Sequence, residues 1–147
     1  MCFLDDAVPG SVAFTLCNVS QLSEDKFHTE WRRQAAILIA SELDMELFGV
    51  KGVYLFGSVE SGEAGPGSDI DLIFHICSSE NQKRAMRKWL DTWNSRLCDI
   101  FKRITGTNIS YMLDIHLVDD TDMERKTCFA YKIQSIMEPA EPLRIMR

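Results

Sequence analysis

The sequence predicts an α+β fold in which a small mixed β-sheet packs against helices. Three observations carry that expectation. Short apolar runs stand at 53–56 and 69–76, separated by a loop rich in Gly and Ser. A long amphipathic stretch follows at 79–104, and strict alternation then appears at 110–118. The resulting order of helix, strand, strand, helix, strand, helix is that of a sheet covered by helices.

Each element has a local reason. Residues 1–22 are weakly patterned, although Val12, Phe14 and Leu16 alternate with Ala13, Thr15 and Cys17 in the manner of a short strand. From 23 to 48 the period becomes helical: Ala36, Ile39, Ala40, Leu43 and Leu47 recur at three-and-four spacing, with Arg32, Arg33 and Glu42 expected to face water. Gly49 and Gly52 are expected to end that run. The run 53–56 reads as a buried strand and 57–68, with Pro66, as turn and loop. A second strand is expected over 69–76. In the helix 79–104, Met86, Trp89, Leu90, Trp93, Leu97, Ile100, Phe101 and Ile104 share one stripe. Ser79 with Gln82 suits a capping box, and Gly106 suits the C-terminal cap. In 110–118, Tyr111, Leu113, Ile115 and Leu117 should face one side, opposite Met112, Asp114, His116 and Val118. A last helix is expected over 122–137, followed by an extended or frayed tail at 138–147 containing Pro139 and Pro142.

At 147 residues, the chain suits one domain spanning 1–147. A net charge of -6 disfavours tight, nonspecific binding to a nucleic-acid duplex, which needs many cations facing phosphates. It leaves room for one phosphate-bearing substrate held through metal ions. No apolar stretch approaches the ~20 residues that span a bilayer, so no membrane partner is expected. The first 25 residues hold no Lys or Arg, against a charged-start signal peptide. Cys2, Cys17, Cys77, Cys98 and Cys128 lack paired CxxC spacing and read as reduced, mostly buried thiols, which points to a cytoplasmic protein.

The chemistry concentrates in 55–72. Along a strand, residues two apart share a face, so Asp69 and Asp71 should project together while Ile70 and Leu72 enter the core. Two adjacent anions raise each other's pKa unless a cation lies between them, and hard oxygen ligands favour Mg2+. An Asp-x-Asp alone is more often a solvated strand end. Here Gly57-Ser58 precedes it at the end of an apolar strand, where a glycine lets backbone N–H groups approach a phosphate and Ser58 adds a donor. Asp114 is the one acidic residue inside the otherwise apolar strand 112–116, a costly placement without a partner.

Phe56, Gly57, Ser58, then ten intervening residues, then Asp69, Ile70, Asp71 and Leu72 resemble the signature of the DNA polymerase beta-like nucleotidyltransferase superfamily. The resemblance covers residues from about 30 to 118, and in its compactness the chain is similar to minimal nucleotidyltransferases of bacteria and archaea. Some of those act as antitoxins or as pieces of larger enzymes. The resemblance implies the polymerase beta-like fold and transfer of a nucleoside monophosphate from a nucleoside triphosphate to an acceptor hydroxyl. It implies two Mg2+ ions, or Mn2+, about 3.5–4 Å apart. Asp69, Asp71 and Asp114 would be both the catalytic residues and the metal ligands, with Gly57, Ser58 and Ser68 binding the nucleotide. One departure is the lack of a basic residue near Ser61, where relatives often carry one.

The acceptor stays open among a protein side chain, a small hydroxylated molecule and an RNA end, with acidity weighing against RNA. A partner chain or a homodimer would supply the acceptor site that so short a chain lacks. The rival expectation is a non-catalytic nucleotide-binding or antitoxin-like regulatory module on the same fold. Among the remaining residues, His116 shares the Asp114 face and is more simply a hydrogen-bonded neighbour than a catalyst. His75 lies farther along its strand, beyond reach of the site. Trp89 and Trp93 belong to the core stripe. Lys83, Arg84, Arg87 and Lys88 make a solvated basic face, and Glu60 and Glu63 are exposed loop acids.

Overall fold

A computed structural model of the chain describes residues 23–126, 129–135 and 139–146. The alternating segment at Val12–Cys17 lies outside the described residues, as do Cys2, Cys17 and Cys128. Helix α1 is Glu24–Glu42 and helix α2 is Met45–Phe48. Strand β1 is Val50–Phe56, the one-turn helix α3 is Gly57–Ser61 and strand β2 is Ile70–Ile76. Helix α4 is Glu80–Thr105 and strand β3 is Leu113–Val118. Two short helices, α5 at Asp120–Arg125 and α6 at Ala130–Gln134, precede strand β4 at Glu141–Ile145.

The sheet runs β3-β2-β1-β4. Strand β1 is antiparallel to both β2 and β4, and β2 is parallel to β3, so the sheet is mixed as expected. Its two faces are unequal. One carries Val53, Leu55, Leu72 and Phe74 into the main core with Trp31 and Ile39 of α1 and Met86, Leu97 and Phe101 of α4. The opposite face carries Ile73 and Val118 into a smaller cluster with Ala130 and Ala140, flanked by Tyr54, Phe56 and Phe129. Ile70 and Leu72 are fully buried, as alternation requires.

Several boundaries differ from the sequence reading, each for a local reason. The expected helix 23–48 breaks at Leu43, whose backbone is extended, because the Asp44 side chain accepts the Leu47 N–H and starts a new helix. Gly49 ends α2 in the left-handed region at φ 70°, as expected, whereas Gly52 lies inside β1 and ends nothing. Leu47 falls on the new turn and is 60% exposed instead of buried. Tyr111 precedes β3 and is 71% exposed. The last helix is two pieces, because Asp119 and Asp122 form a capping box at its start and Lys126 turns left-handed at φ 52° after it. The tail is no frayed end: Gly52–Leu55 of β1 pair with Glu141–Ile145. Helix α4 follows its sequence signals closely, with the Ser79–Gln82 capping box and Gly106 at φ 77°. Cys98 is buried and Cys77 exposed, both as free thiols.

Arg32 is the largest departure. Expected in water, it is completely buried, and Arg33 beside it is half-buried. Arg32 precedes Ala36 by four residues and Ile39 by seven, so the helical period itself puts it on the apolar stripe. Its burial is affordable because the guanidinium forks onto three carbonyls: Nη1 donates to His28 O at 3.0 Å, Nη2 to Pro66 O at 3.1 Å and Nε to Ser68 O at 2.9 Å. The Trp31 and Phe101 rings lie 4.9 and 5.3 Å from it. Burial lowers its pKa to about 10, opposed by the nearby Asp69 charge, so it stays protonated at neutral pH.

Candidate active site at the β1–β2–β3 junction

The end of β1 meets the starts of β2 and β3 at one corner of the sheet. Phe56 pairs with Asp71 across the antiparallel ladder, and Asp71 pairs with Asp114 across the parallel one. Neighbouring strands in register hold paired side chains side by side. Asp71 and Asp114 therefore project together from the thinly covered face, with His116 two residues farther along β3. One ligand atom from each of Asp71, Asp114 and His116 lies within 4.8 Å of the others. His116 Nε2 is 3.2 Å from Asp114 Oδ2.

Asp69 stands apart from this set. It precedes β2, is exposed, and contributes no atom to the 4.8 Å group. Its charge still reaches both Asp71 and Arg32. The two-apart rule holds only inside a strand, and the strand begins one residue too late to impose it on Asp69.

The electrostatics mark the site as short of positive charge. Burial, a hydrogen bond with Asp114, and the charges of Asp114 and Asp69, in that order, push the Asp71 carboxyl up to about 7. Near neutral pH the half-buried pair therefore carries a proton about half of the time, where a cation would relieve the same repulsion. Two carboxylates and an imidazole are competent donors for a divalent cation, so the residues present fit a metal.

Gly57 shapes the pocket in a way that the sequence reading had assigned to phosphate approach. It opens α3 at φ +75°, and a Cβ there would stand 2.3 Å from Asp71 Oδ2. Only glycine combines that backbone with room for the carboxylate. Gly57→Ala is expected to cost about 1–2 kcal/mol in backbone strain and to swing Asp71 aside. A thermal melt and a Mn2+ titration check both parts; metal affinity equal to that of the parent chain would show that Asp71 does not depend on this gap.

Helix α1 grips both limbs of the Gly-Ser loop. Arg33 Nη2 donates to Val59 O and Glu60 O at 3.3 and 3.1 Å, while its Nη1 pairs with Glu141 of β4. Thr29 Oγ1 accepts the Ala64 N–H at 3.1 Å, and Arg32 holds Pro66 and Ser68 as described. Ser58 is half-buried within α3, and its carbonyl accepts the Glu63 N–H at 2.8 Å. The Ser68 hydroxyl is engaged inside the loop, accepting the Gly65 N–H at 2.9 Å. The role of Arg32 was missed from sequence, although an arginine in phase with Ala36 and Ile39 was the available signal.

His116 is walled by aromatic rings. Phe129 lies 3.7 Å from it between ring centroids and Phe56 5.5 Å. His75, by contrast, bonds Asp120 through Nε2 at 2.7 Å, and Lys51 bonds the same carboxylate. Bonds from Lys51, then from His75, hold the Asp120 carboxyl below its ordinary range. Trp89 and Trp93 meet edge-on with centroids 6.1 Å apart within the core stripe. Among the described residues, no helix is long and apolar enough to cross a membrane.

No curated protein sequence matches the chain. Among solved structures, a candidate nucleotidyltransferase from Sulfolobus solfataricus is 16% identical, covering 82% of this chain and 85% of that one at a TM-score of 0.34. Residues 39–138 match the family model for the nucleotidyltransferase domain, a span that contains the Gly-Ser turn, all three aspartates and His116. By that match over most of its length, the chain belongs to the nucleotidyltransferase domain family.

Proposed function

We propose that this chain, as one nucleotidyltransferase domain, moves a nucleoside monophosphate from a nucleoside triphosphate to an acceptor hydroxyl and releases pyrophosphate. The observation that carries the reading is the in-register pair Asp71–Asp114 beside Gly57, at the turn where the family model matches. Asp71 and Asp114 would hold the divalent cations, with Asp69 drawn in from its exposed position. When bound, such cations supply charge neutralisation on the triphosphate and acidify the attacking hydroxyl. Asp114, whose side chain is 49% exposed, would meet the acceptor and help take up its proton. Gly57 and Ser58 would hold the outgoing pyrophosphate, and Ser68, clamped by Arg32, would set the far wall of the nucleotide site. A protein side chain, a small hydroxylated molecule and an RNA end are the acceptor classes, with a partner chain or second copy completing the site.

Incubation with labelled ATP, CTP, GTP and UTP in cell extract is expected to yield one labelled acceptor species, lost in Asp71→Asn. Full transfer by that variant would remove Asp71 from the mechanism. A second reading, a non-catalytic nucleotide-binding or antitoxin-like module, draws on the exposure of Asp69 and on Ser61 standing where relatives often carry a basic residue. Calorimetric binding of ATP with Mg2+, but no labelled product with any acceptor, would select it.

A further inference from the structure

We propose that His116 is a direct ligand of the cation held by Asp71 and Asp114, making a mixed nitrogen and oxygen site that selects Mn2+ over Mg2+. The inference rests on the divalent-metal reading above and adds both the ligand and the metal class. The geometry favours it in three ways. Asp114 and His116 are two apart on β3 and share a face, and Asp71 joins them through the parallel register. Ligands on opposite sides of one cation at bond lengths of about 2.1 Å stand roughly 4.2 Å apart; the three donor atoms lie within 4.8 Å of one another, so a small side-chain adjustment brings them onto one ion. The ring is also pinned before any ligand arrives: His116 is only 19% exposed and packs against Phe129 and Phe56. Little rotamer freedom remains to be lost on coordination.

Metal choice follows from the donor set. Mg2+ prefers an all-oxygen octahedral shell and parts reluctantly with its water, whereas imidazole suits first-row transition dications. Mn2+ accepts both carboxylate and imidazole, so one nitrogen in the shell should separate it from Mg2+. The competing role for His116 is to hydrogen-bond Asp114 and never touch the metal.

Pulsed electron paramagnetic resonance on the Mn2+-loaded chain distinguishes the two. The expected result is a directly coordinated 14N coupling in the parent chain that is lost in His116→Gln and kept in His75→Gln, whose imidazole bonds Asp120 instead. Calorimetry should show that His116→Gln weakens Mn2+ roughly tenfold or more while Mg2+ changes little. If His116→Gln does not fold, the spectrum of the parent chain with 15N-labelled histidine still decides. Mn2+ bound without nitrogen coupling would overturn the His116 ligand and leave the carboxylate site intact. Absence of any Mn2+ or Mg2+ binding by the parent chain would overturn both.

Discussion

At pH 8 and without divalent metal, Asp71→Asn is expected to melt above the parent chain while losing transfer activity by about 10³-fold or more, as several kcal/mol of metal-borne stabilisation disappear. The sign of the stability effect follows from linkage. Asp71 has an ordinary pKa near 3.8 and a folded value of about 7. Between those limits the folded state binds more protons than the unfolded one, so stability falls as pH rises. The penalty is absent below pH ~4, grows through neutrality and is complete above pH ~7. Asparagine carries no such charge. After discounting for the solvent that reaches this half-buried group, the gain at pH 8 is about 1–2 kcal/mol. Melts of the two chains should therefore converge in acid and separate at alkaline pH. Addition of Mn2+ should reverse their order, because only the parent keeps both carboxylates. A variant that melts below the parent at pH 8 without metal would show that Asp71 is not under strain from its neighbours.

Arg32→Met should produce the largest loss of stability. Its three carbonyl partners, on His28, Pro66 and Ser68, would be left without the guanidinium. A buried acceptor so orphaned costs about 1–3 kcal/mol, less for the part-buried carbonyls of Pro66 and Ser68, and the loss is partly offset by no longer burying a charge. The net expectation is about 2–4 kcal/mol, or roughly 5–15 °C in Tm. Hydrogen exchange supplies a local readout. The Gly65 and Ser68 amides close the loop through the Ser68 hydroxyl and the Gly65 carbonyl, and both should exchange faster in the variant. Arg32→Lys keeps the charge but has no planar fork to span three carbonyls, so it should recover only part of the loss. A melt within about 1 °C of the parent would mean that the loop holds itself.

Much of this was legible in local chemistry. The stripe Met86–Phe101, the Ser79–Gln82 box and Gly106 specify α4, because each acts within one or two turns of the chain. The Gly-Ser turn followed by two aspartates pointed to the nucleotidyltransferase family, because that pattern lies within one short stretch of chain. Other features were misread or left unmarked. Arg32 was assigned to water by residue type, although its phase placed it inside, since a guanidinium can be buried wherever enough carbonyls converge on it. The tail pairing with β1 left no mark in the tail itself, because an edge strand gets its partners from elsewhere in the chain.

By itself the sequence determined most of the helices and strands, the mixed sheet and the family, and it singled out the aspartates as candidates. Only the tertiary structure decided which donors meet. Strand pairing between segments distant in sequence brings Asp71 to Asp114 and His116 while leaving Asp69 outside. Local pattern sets which way a side chain points, but its distance from another strand's side chain depends on register, which packing on both sheet faces selects.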